Sequence, residues 1–177
     1  VMQKGGVILY PTDTIWGIGC DATNAEAVKR VYEIKKRSDS KAMLVLVDNA
    51  VKVDFYVDGA PEVAFDLIEL TNKPLTIIYD GAKNLAPNLI AEDGSVGIRV
   101  TSEEFSNQLC YRFRKAIVST SANVSGEPSP ATFGEISDEI KQAVDYIVQS
   151  RQQENKASQS SSIIKLGKGG QVKVIRE

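Results

Sequence analysis

The sequence predicts an α/β fold in which helices flank a mixed sheet. Short apolar runs typical of buried strands alternate with segments whose apolar residues recur at helical spacing. The alternation is irregular and the last two strands form a hairpin pattern, so a mixed sheet is favoured over a doubly wound parallel one. With 177 residues, 42% of them hydrophobic, the chain is expected to form one domain over residues 1–177.

The strand predictions rest on apolar runs of strand length bounded by polar or glycine-containing segments. The first run, residues 7–10, begins so early that a preceding helix is expected to be missing or truncated. A second extended segment, residues 15–20, carries glycines at positions 17 and 19. Further strands are predicted at residues 43–47, 75–79, 96–100, 116–119, 146–148, 162–166 and 171–175.

The helix predictions rest on capping residues that precede helical spacing. Asn24 suits the N-cap of a helix that reaches about residue 36, and Pro61 suits the first turn of a helix that ends before Pro74. Two more helices are predicted from capping-box spacing, by Thr101 with Glu104 and by Thr132 with Glu135.

The composition excludes several classes of function. The chain contains no histidine, which removes Ser-His-Asp and Cys-His catalysis and histidine metal sites. A net charge of −2 does not favour a general nucleic-acid binder, although a local positive groove stays open. Cys20 and Cys110 suggest buried thiols in a reducing compartment. No apolar run is long enough to span a membrane, so we expect a cytoplasmic protein.

Two clusters of polar residues lie in the first quarter of the chain. Thr12, Asp13 and Thr14 follow the first strand; taken alone, a plain turn explains them best. The second cluster comprises Lys35, Lys36, Arg37 and Lys41 near the end of the first helix. Either the helix dipole stabilises these cations, or they bind a triphosphate. The sequence alone does not separate these two interpretations.

Two further groups lie in the second half of the chain. Residues 119–129 form a loop rich in hydroxyl and amide side chains at the end of an apolar strand, where ligands bind in open α/β sheets. Arg99 lies inside an apolar strand and needs an anionic partner, either a ligand or a carboxylate of the protein. Ser161, Ser162 and Arg176 mark the final hairpin.

Taken together and in order, these segments resemble the YrdC/TsaC family of threonylcarbamoyl-AMP synthases. The strongest matches are PTDTIWGIGCDA at residues 11–22, Lys35 with Arg37, and STSANVSGEPS at residues 119–129. Weaker matches are SVGIRV at 95–100, SSI at 161–163 and the final VIRE. The family's K-x-R and S-x-N residues correspond to Lys35, Arg37, Ser121 and Asn123, and all four are present.

The resemblance implies a twisted, mixed sheet around a concave cavity in which ATP, L-threonine and bicarbonate form threonylcarbamoyl-AMP for tRNA modification. Mg²⁺ would arrive with ATP, contact with tRNA or double-stranded RNA is possible, and separate transferase proteins would consume the product. The catalytic residues would be Lys35, Arg37, Ser121 and Asn123. ATP would contact Lys35, Arg37, Lys41, Ser95, Ser121, Asn123, Ser129 and Arg176. Threonine would contact Thr14, Arg99, Ser119 and Ser162, or Ser161 if the register differs by one residue.

Some positions depart from the family pattern. Ser38, Ala42 and Thr101 stand where prolines or glycines are common, Leu46 where some relatives have histidine, and Trp16 where tyrosine is commoner.

Two alternatives stay open: a paralogue acting on another carbamoyl-type substrate, and an RNA-binding module. Because Lys35 and Arg37 lie at a helix end, we expect loss of either charge to cost about 0.3–1 kcal/mol of stability.

Overall fold

The computed structural model describes residues 1–37, 43–155 and 158–177, and within these ranges nine strands form one sheet with five α-helices beside it. The strands are β1 (Ile8–Tyr10), β2 (Gly17–Gly19), β3 (Leu44–Val47), β4 (Leu75–Tyr79), β5 (Val96–Val100), β6 (Ile117–Ser121), β7 (Tyr146–Ile147), β8 (Ser162–Leu166) and β9 (Val172–Arg176). The helices are α1 (Ala25–Lys35), α2 (Val53–Tyr56), α3 (Glu62–Leu70), α4 (Glu104–Phe113) and α5 (Asp138–Ala143).

The strands follow the order β7-β1-β2-β6-β3-β5-β4-β8-β9 along the sheet. The pairs β1–β7, β3–β5 and β4–β8 are parallel. The pairs β1–β2, β2–β6, β3–β6, β4–β5 and β8–β9 are antiparallel. The predicted α/β fold with a mixed, mostly antiparallel sheet is therefore confirmed in the described part of the chain, including the final hairpin.

The two faces of the central strands differ in polarity. In β5, Ile98 is buried in the hydrophobic core, whereas Arg99 lines a cavity. In β4, Ile77 is buried in the same core and Thr76 lines the same cavity. Because successive side chains of a strand point to opposite faces, one face of the sheet packs the core and the other carries polar groups.

Helix α1 forms as its sequence predicts. The side chain of Asn24 caps it by accepting a hydrogen bond from the main-chain N–H of Ala27 over 3.1 Å. The buried face contains Ala27, Val28, Val31 and Tyr32, at helical spacing. The helix ends at Lys36, whose φ of 53° lies in the left-handed region. The predicted start and end of this helix are confirmed.

The predicted cap of α4 is wrong. Thr101 lies just past the end of β5, where its main-chain N–H donates to the carbonyl of Val47 over 3.0 Å and its hydroxyl accepts from the N–H of Glu103 over 3.2 Å. The carboxylate of Glu103 instead accepts from the N–H groups of Phe105 and Ser106, over 2.6 and 2.9 Å. The helix therefore starts after Glu103, and the Thr101 hydroxyl pairs with the Ser106 hydroxyl at 2.8 Å.

The predicted capping box at Thr132 is also wrong. Residues Phe133–Glu135 form a 3-10 turn with no side-chain cap. The Glu135 carboxylate accepts from the N–H of Ala131 over 2.9 Å, so the reciprocal bonds of a capping box do not form. Helix α5 begins only after Ser137, whose hydroxyl accepts from the N–H of Ile140.

Strand β6 extends further than predicted. The sequence suggests a strand that ends at residue 119, but the structure continues it to Ser121. Pairing with β2 explains the difference, because Gly17 lies opposite Ser121 and Ile18 opposite Thr120.

Both cysteines are buried and free, as expected. In the described part of the chain, every helix is too short or too polar to cross a membrane.

Candidate functional site

A cavity of about 330 Å³ lies on the polar face of the sheet. Eight of the residues implicated by the sequence line it: Thr14, Arg37, Ser95, Arg99, Ser119, Ser121, Ser129 and Arg176. The lining also includes Trp16, Thr76 and Ser161, and its three charged side chains in the described ranges are all arginines. Guanidinium groups and hydroxyls are donors suited to phosphate and carboxylate oxygens, so the cavity is built to bind anions.

Arg99 occupies one end of this cavity and is only 3% exposed. Its Nε donates to a carboxylate oxygen of Asp13 over 2.9 Å. One terminal nitrogen, Nη2, donates to the hydroxyl of Thr14 over 3.2 Å, and Nη1 donates to the hydroxyl of Ser161 over 3.4 Å. The strand arginine therefore has a carboxylate partner within the protein and also faces the cavity, which combines the two interpretations left open by the sequence.

Ser161, rather than Ser162, faces the cavity. The hydroxyl of Ser161 is 2.7 Å from the hydroxyl of Thr76, and the residue is 2% exposed. The hydroxyl of Ser162 donates to the main-chain oxygen of Glu177 over 2.9 Å and does not line the cavity. A shift of one residue along a strand exchanges the two faces, which explains the displacement of this assignment.

Lys35 is 2% exposed and lies behind the wall of the cavity. Its ammonium donates to the main-chain carbonyls of Ser121 and Asn123 over 2.7 and 2.9 Å. Its own carbonyl accepts from the N–H of Ser125 over 2.8 Å. Burial, with a smaller contribution from the Arg37 guanidinium, lowers the pKa of Lys35 to about 8. Lys35 thus joins the end of α1 to the loop after β6.

Asn123 also supports this loop. Its side-chain amide donates to the carbonyl of Glu127 over 2.7 Å and to that of Val124 over 3.1 Å. Neither Asn123 nor Lys35 is among the described residues that line the cavity. Of the four residues in the K-x-R and S-x-N pattern, the structure thus brings Arg37 and Ser121 to the cavity and places the other two directly behind them.

The left-handed turn at Lys36 separates two cations with different surroundings. Lys36 is exposed and its ammonium pairs with Glu139 over 2.9 Å. The next residue, Arg37, donates its main-chain N–H to the carbonyl of Tyr32 and directs its side chain to the cavity. Of these two adjacent residues, therefore, Lys36 faces solvent and Arg37 faces the cavity. Lys41, Ser38 and Ala42 lie outside the described residues.

The hairpin and the loop before β5 complete the cavity. The Nε of Arg176 donates to the carbonyl of Ser161 over 2.8 Å, which fixes the end of β9 against the start of β8. Ser95 donates its main-chain N–H to Asp93 over 3.0 Å and its hydroxyl to the same carboxylate oxygen. These hydrogen bonds from Ser95 lower the pKa of Asp93 to about 2.

Comparison with known proteins decides the family. All of residues 1–177 match the Sua5, YciO and YrdC family, which carries the description "Telomere recombination". The chain belongs to this family.

Several members are similar over most of the chain. A protein of Pseudoalteromonas translucida named threonylcarbamoyl-AMP synthase is 33% identical over 150 residues, which cover 83% of this chain and 80% of that protein. A protein of Pseudomonas aeruginosa with the same name is 35% identical over 133 residues, covering 75% and 71%.

Solved structures of the Sua5/YciO/YrdC family share the fold. Escherichia coli YciO superposes with a TM-score of 0.84 at 26% identity, covering 99% of this chain and 84% of that one. Pyrococcus abyssi Sua5 in complex with L-threonine superposes with a TM-score of 0.82 at 22% identity, covering 93% of this chain. This chain spans 48% of that Sua5 chain, about half its length.

Three residues of this family member were not assigned to the site from sequence. Asp13 stands in a motif that, taken alone, a plain turn explains best, and its partner Arg99 is 86 residues away. Thr76 pairs in register with Arg99 across β4 and β5, which no local pattern reveals. Trp16 lines the cavity, with its ring 4.8 Å from that of Phe133. The one feature of the sequence that drew attention to Trp16 is that it replaces the tyrosine common in the family.

Proposed function

We propose that this protein catalyses the formation of L-threonylcarbamoyl-AMP and pyrophosphate from ATP, L-threonine and bicarbonate. The observation that carries the proposal is the similarity to threonylcarbamoyl-AMP synthases over about four fifths of both chains. The cavity supports it independently, because guanidiniums and hydroxyls surround a space large enough for small anionic substrates. The protein is therefore an enzyme of the nucleotidyltransferase class.

ATP would contact Arg37 and Arg176 in this cavity. Arg37 would bind phosphate oxygens through its planar fork, and the hydroxyls of Ser95, Ser121 and Ser129 would supply further donors. Lys41 would add a cation from outside the described residues. Mg²⁺ would enter with ATP, coordinated by the phosphates, since the described lining offers hydroxyls and cations rather than carboxylates.

L-Threonine would occupy the end of the cavity near Arg99. A guanidinium fork suits its carboxylate, and the hydroxyls of Thr14, Ser119 and Ser161 suit its own hydroxyl and amine. Thr76 contributes to this end through its hydrogen bond to Ser161. This arrangement assigns to Ser161 the contact that the resemblance had suggested for Ser162.

The reaction requires positioning and neutralisation of charge, with no covalent intermediate on the enzyme. The threonine amine combines with bicarbonate, with loss of water, or with CO₂, with loss of a proton, to form a carbamate. A carbamate oxygen then attacks the α-phosphorus of ATP, and pyrophosphate leaves from the opposite side. Arg37 and Arg176 would stabilise the negative charge that develops on the phosphates. Lys35 and Asn123 would act by holding the Ser121 loop in place.

The product is a mixed anhydride whose threonylcarbamoyl group a second, separate protein would transfer to an adenosine of tRNA, with AMP as the leaving group. We accordingly place the protein in the cytoplasm and expect the downstream transferase among its functional partners. Direct contact with tRNA would involve the exposed strand β9, whose Arg176 lines the cavity.

Pyrophosphate release tests the proposal directly. ATP and Mg²⁺ are supplied, and L-threonine and bicarbonate are included or omitted in turn. Release that depends on both, with threonylcarbamoyl-AMP identified by mass, is the expected result. ATP binding without release under any condition would indicate another carbamoyl-type acceptor, and salt-sensitive RNA binding without ATP binding would indicate the RNA-binding module.

A variant pair tests the assignment of the phosphate site. Arg37→Ala should lower turnover by at least about a hundredfold, because it removes a charge that neutralises the transition state. Lys36→Ala is the matched control, since the neighbouring ammonium is exposed and pairs with Glu139. Turnover near the wild-type value in Arg37→Ala would remove Arg37 from the site.

A further inference from the structure

The turn formed by residues 12–14 contributes to the lining of two cavities. The second cavity, of about 350 Å³, is lined by Asp13, Glu103 and Arg151 among others. Asp13 lines only this second cavity and Arg99 lines only the first, while Thr14 lines both. The ion pair between Asp13 and Arg99 therefore spans the wall that separates the cavities.

In this ion pair the three guanidinium nitrogens of Arg99 have different partners. Asp13 holds the Nε of Arg99, at a carboxylate oxygen 2.9 Å away. The two terminal nitrogens are then directed to the hydroxyls of Thr14 and Ser161, both of which line the first cavity. With Nε fixed from behind, rotation of the guanidinium plane would break at least one of these hydrogen bonds.

We propose that Asp13 is a positioning residue that orients Arg99 for the carboxylate of the amino-acid substrate. The inference rests on the proposed function, because it concerns the threonine end of the same site. Asp13 itself reaches no substrate, since its side chain opens to the second cavity. Its carboxylate also balances the charge of Arg99, which is 3% exposed and would otherwise be buried without a counter-charge in the empty site.

The test separates the affinity for threonine from the affinity for ATP. Asp13→Asn keeps the shape of the side chain and removes its charge. It should raise the KM for L-threonine about tenfold, as expected when the acceptor of a charge-assisted hydrogen bond loses its charge, and leave the KM for ATP nearly unchanged. Parallel increases in both KM values, or no change in the threonine KM, would overturn the proposal.

Glu103→Gln is the matched control. Glu103 lines the same second cavity, but its carboxylate contacts Arg151 and the first turn of α4 rather than Arg99. The threonine KM of this variant should stay at the wild-type value even where its stability falls. An increase equal to that of Asp13→Asn would show that any charge removed from the second cavity has the same effect, and would overturn the specific role of Asp13.

A double-variant cycle distinguishes action through Arg99 from a general structural role. In an Arg99→Lys background the fork is already lost, so adding Asp13→Asn should change the threonine KM less than about threefold. Effects that multiply would overturn the proposal. If Asp13→Asn does not fold, Asp13→Glu replaces it, because its displaced carboxylate should raise the threonine KM alone; an unchanged KM again overturns the proposal.

Failure of this inference is distinguishable from failure of the proposed function. Wild-type protein that releases pyrophosphate with threonine, while Asp13→Asn has an unchanged threonine KM, overturns the role of Asp13 only. Wild-type protein that neither releases pyrophosphate nor binds L-threonine, monitored by the emission of Trp16 in the cavity wall, overturns both. Trp16 is the single tryptophan of the chain, so its emission reports this site alone.

Discussion

The ammonium of Lys35 donates to the main-chain carbonyl of Asn123 over 2.9 Å, at a position that is 2% exposed. A second bond, to the carbonyl of Ser121, makes this one side chain the donor for one carbonyl at the end of β6 and one in the loop that follows. The small stability cost expected from a charge at a helix end therefore does not apply to Lys35. We expect its main effect to be on the position of the end of β6, where Ser121 lines the cavity.

Replacement of Lys35 is expected to lower stability as well as activity. Lys35→Met keeps about the length of the side chain but removes the charged donor to the carbonyls of Ser121 and Asn123, of which that of Ser121 retains the N–H of Asn123 at 2.9 Å. We expect a cost of about 1–3 kcal/mol in the free energy of unfolding. Urea denaturation measures this cost. Lys36→Met, at the exposed neighbour, should change the free energy of unfolding little. Equal losses in the two variants would contradict the structure.

The lowered pKa of Lys35 predicts a pH dependence of stability. The folded protein releases this proton near pH 8, whereas the unfolded chain holds it until about 10.5. Between these values the unfolded state binds more protons, so the contribution of Lys35 to the free energy of unfolding should increase with pH. Below about pH 8 it should be constant. The measurement compares wild type with Lys35→Met in urea at several pH values, and a difference that stays flat from pH 7 to 10 would refute the prediction.

Neighbouring serines should respond differently to the same substitution. Ser161→Ala removes a hydroxyl that contacts both Arg99 and Thr76, and should raise the KM for L-threonine about tenfold. Ser162→Ala removes a hydroxyl bound to the main chain of Glu177, outside the cavity, and should leave that KM unchanged. Steady-state pyrophosphate release measures both. The opposite order of effects would return the assignment to Ser162.

Close packing around β2 predicts a strong effect at Gly19. A Cβ at this position would lie 2.5 Å from the Tyr10 ring and 2.7 Å from the carbonyl of Val118. Tyr10 is fully buried and its hydroxyl donates to the same carbonyl, so the ring has no space to move. Gly19→Ala should cost about 1–3 kcal/mol in the free energy of unfolding. Gly134→Ala is the control, because nothing lies within 4 Å of its added Cβ, and equal losses would speak against this packing.

Local signals account for the part of the fold that the sequence predicts well. Residues 75–79 and 96–100 were predicted as strands and form β4 and β5 with the same bounds, because continuous apolar runs between turn residues specify buried strands. The Asn24 cap was predicted because its hydrogen bond spans three residues. At α4 the Thr101 hydroxyl accepts from the N–H of Glu103, ahead of the helix, and the carboxylate of Glu103 caps the first turn instead.

The candidate site depends on contacts that no local pattern contains. The sequence motifs identified Arg99 and Ser121, which line the cavity. They did not identify the partner of Arg99, since Asp13 reaches it only after the sheet has formed. The direction of the Lys35 side chain likewise depends on how α1 packs against the loop after β6. Side-chain direction is set by tertiary packing, which spacing along the chain does not determine.

Strand β6 joins two parts of the sheet: strands β7, β1 and β2 lie on one side of it, and strands β3, β5, β4, β8 and β9 lie on the other. It pairs with β2 in the first part and with β3 in the second. Thr14 and Trp16 reach the cavity from the β2 side, and Arg99 and Arg176 reach it from the β3 side. A substrate in the cavity would contact both parts of the sheet. The substrate would therefore bind only to protein molecules in which both parts are folded. Occupancy would then make the two parts unfold as one cooperative unit, with the stabilising free energy set by substrate concentration.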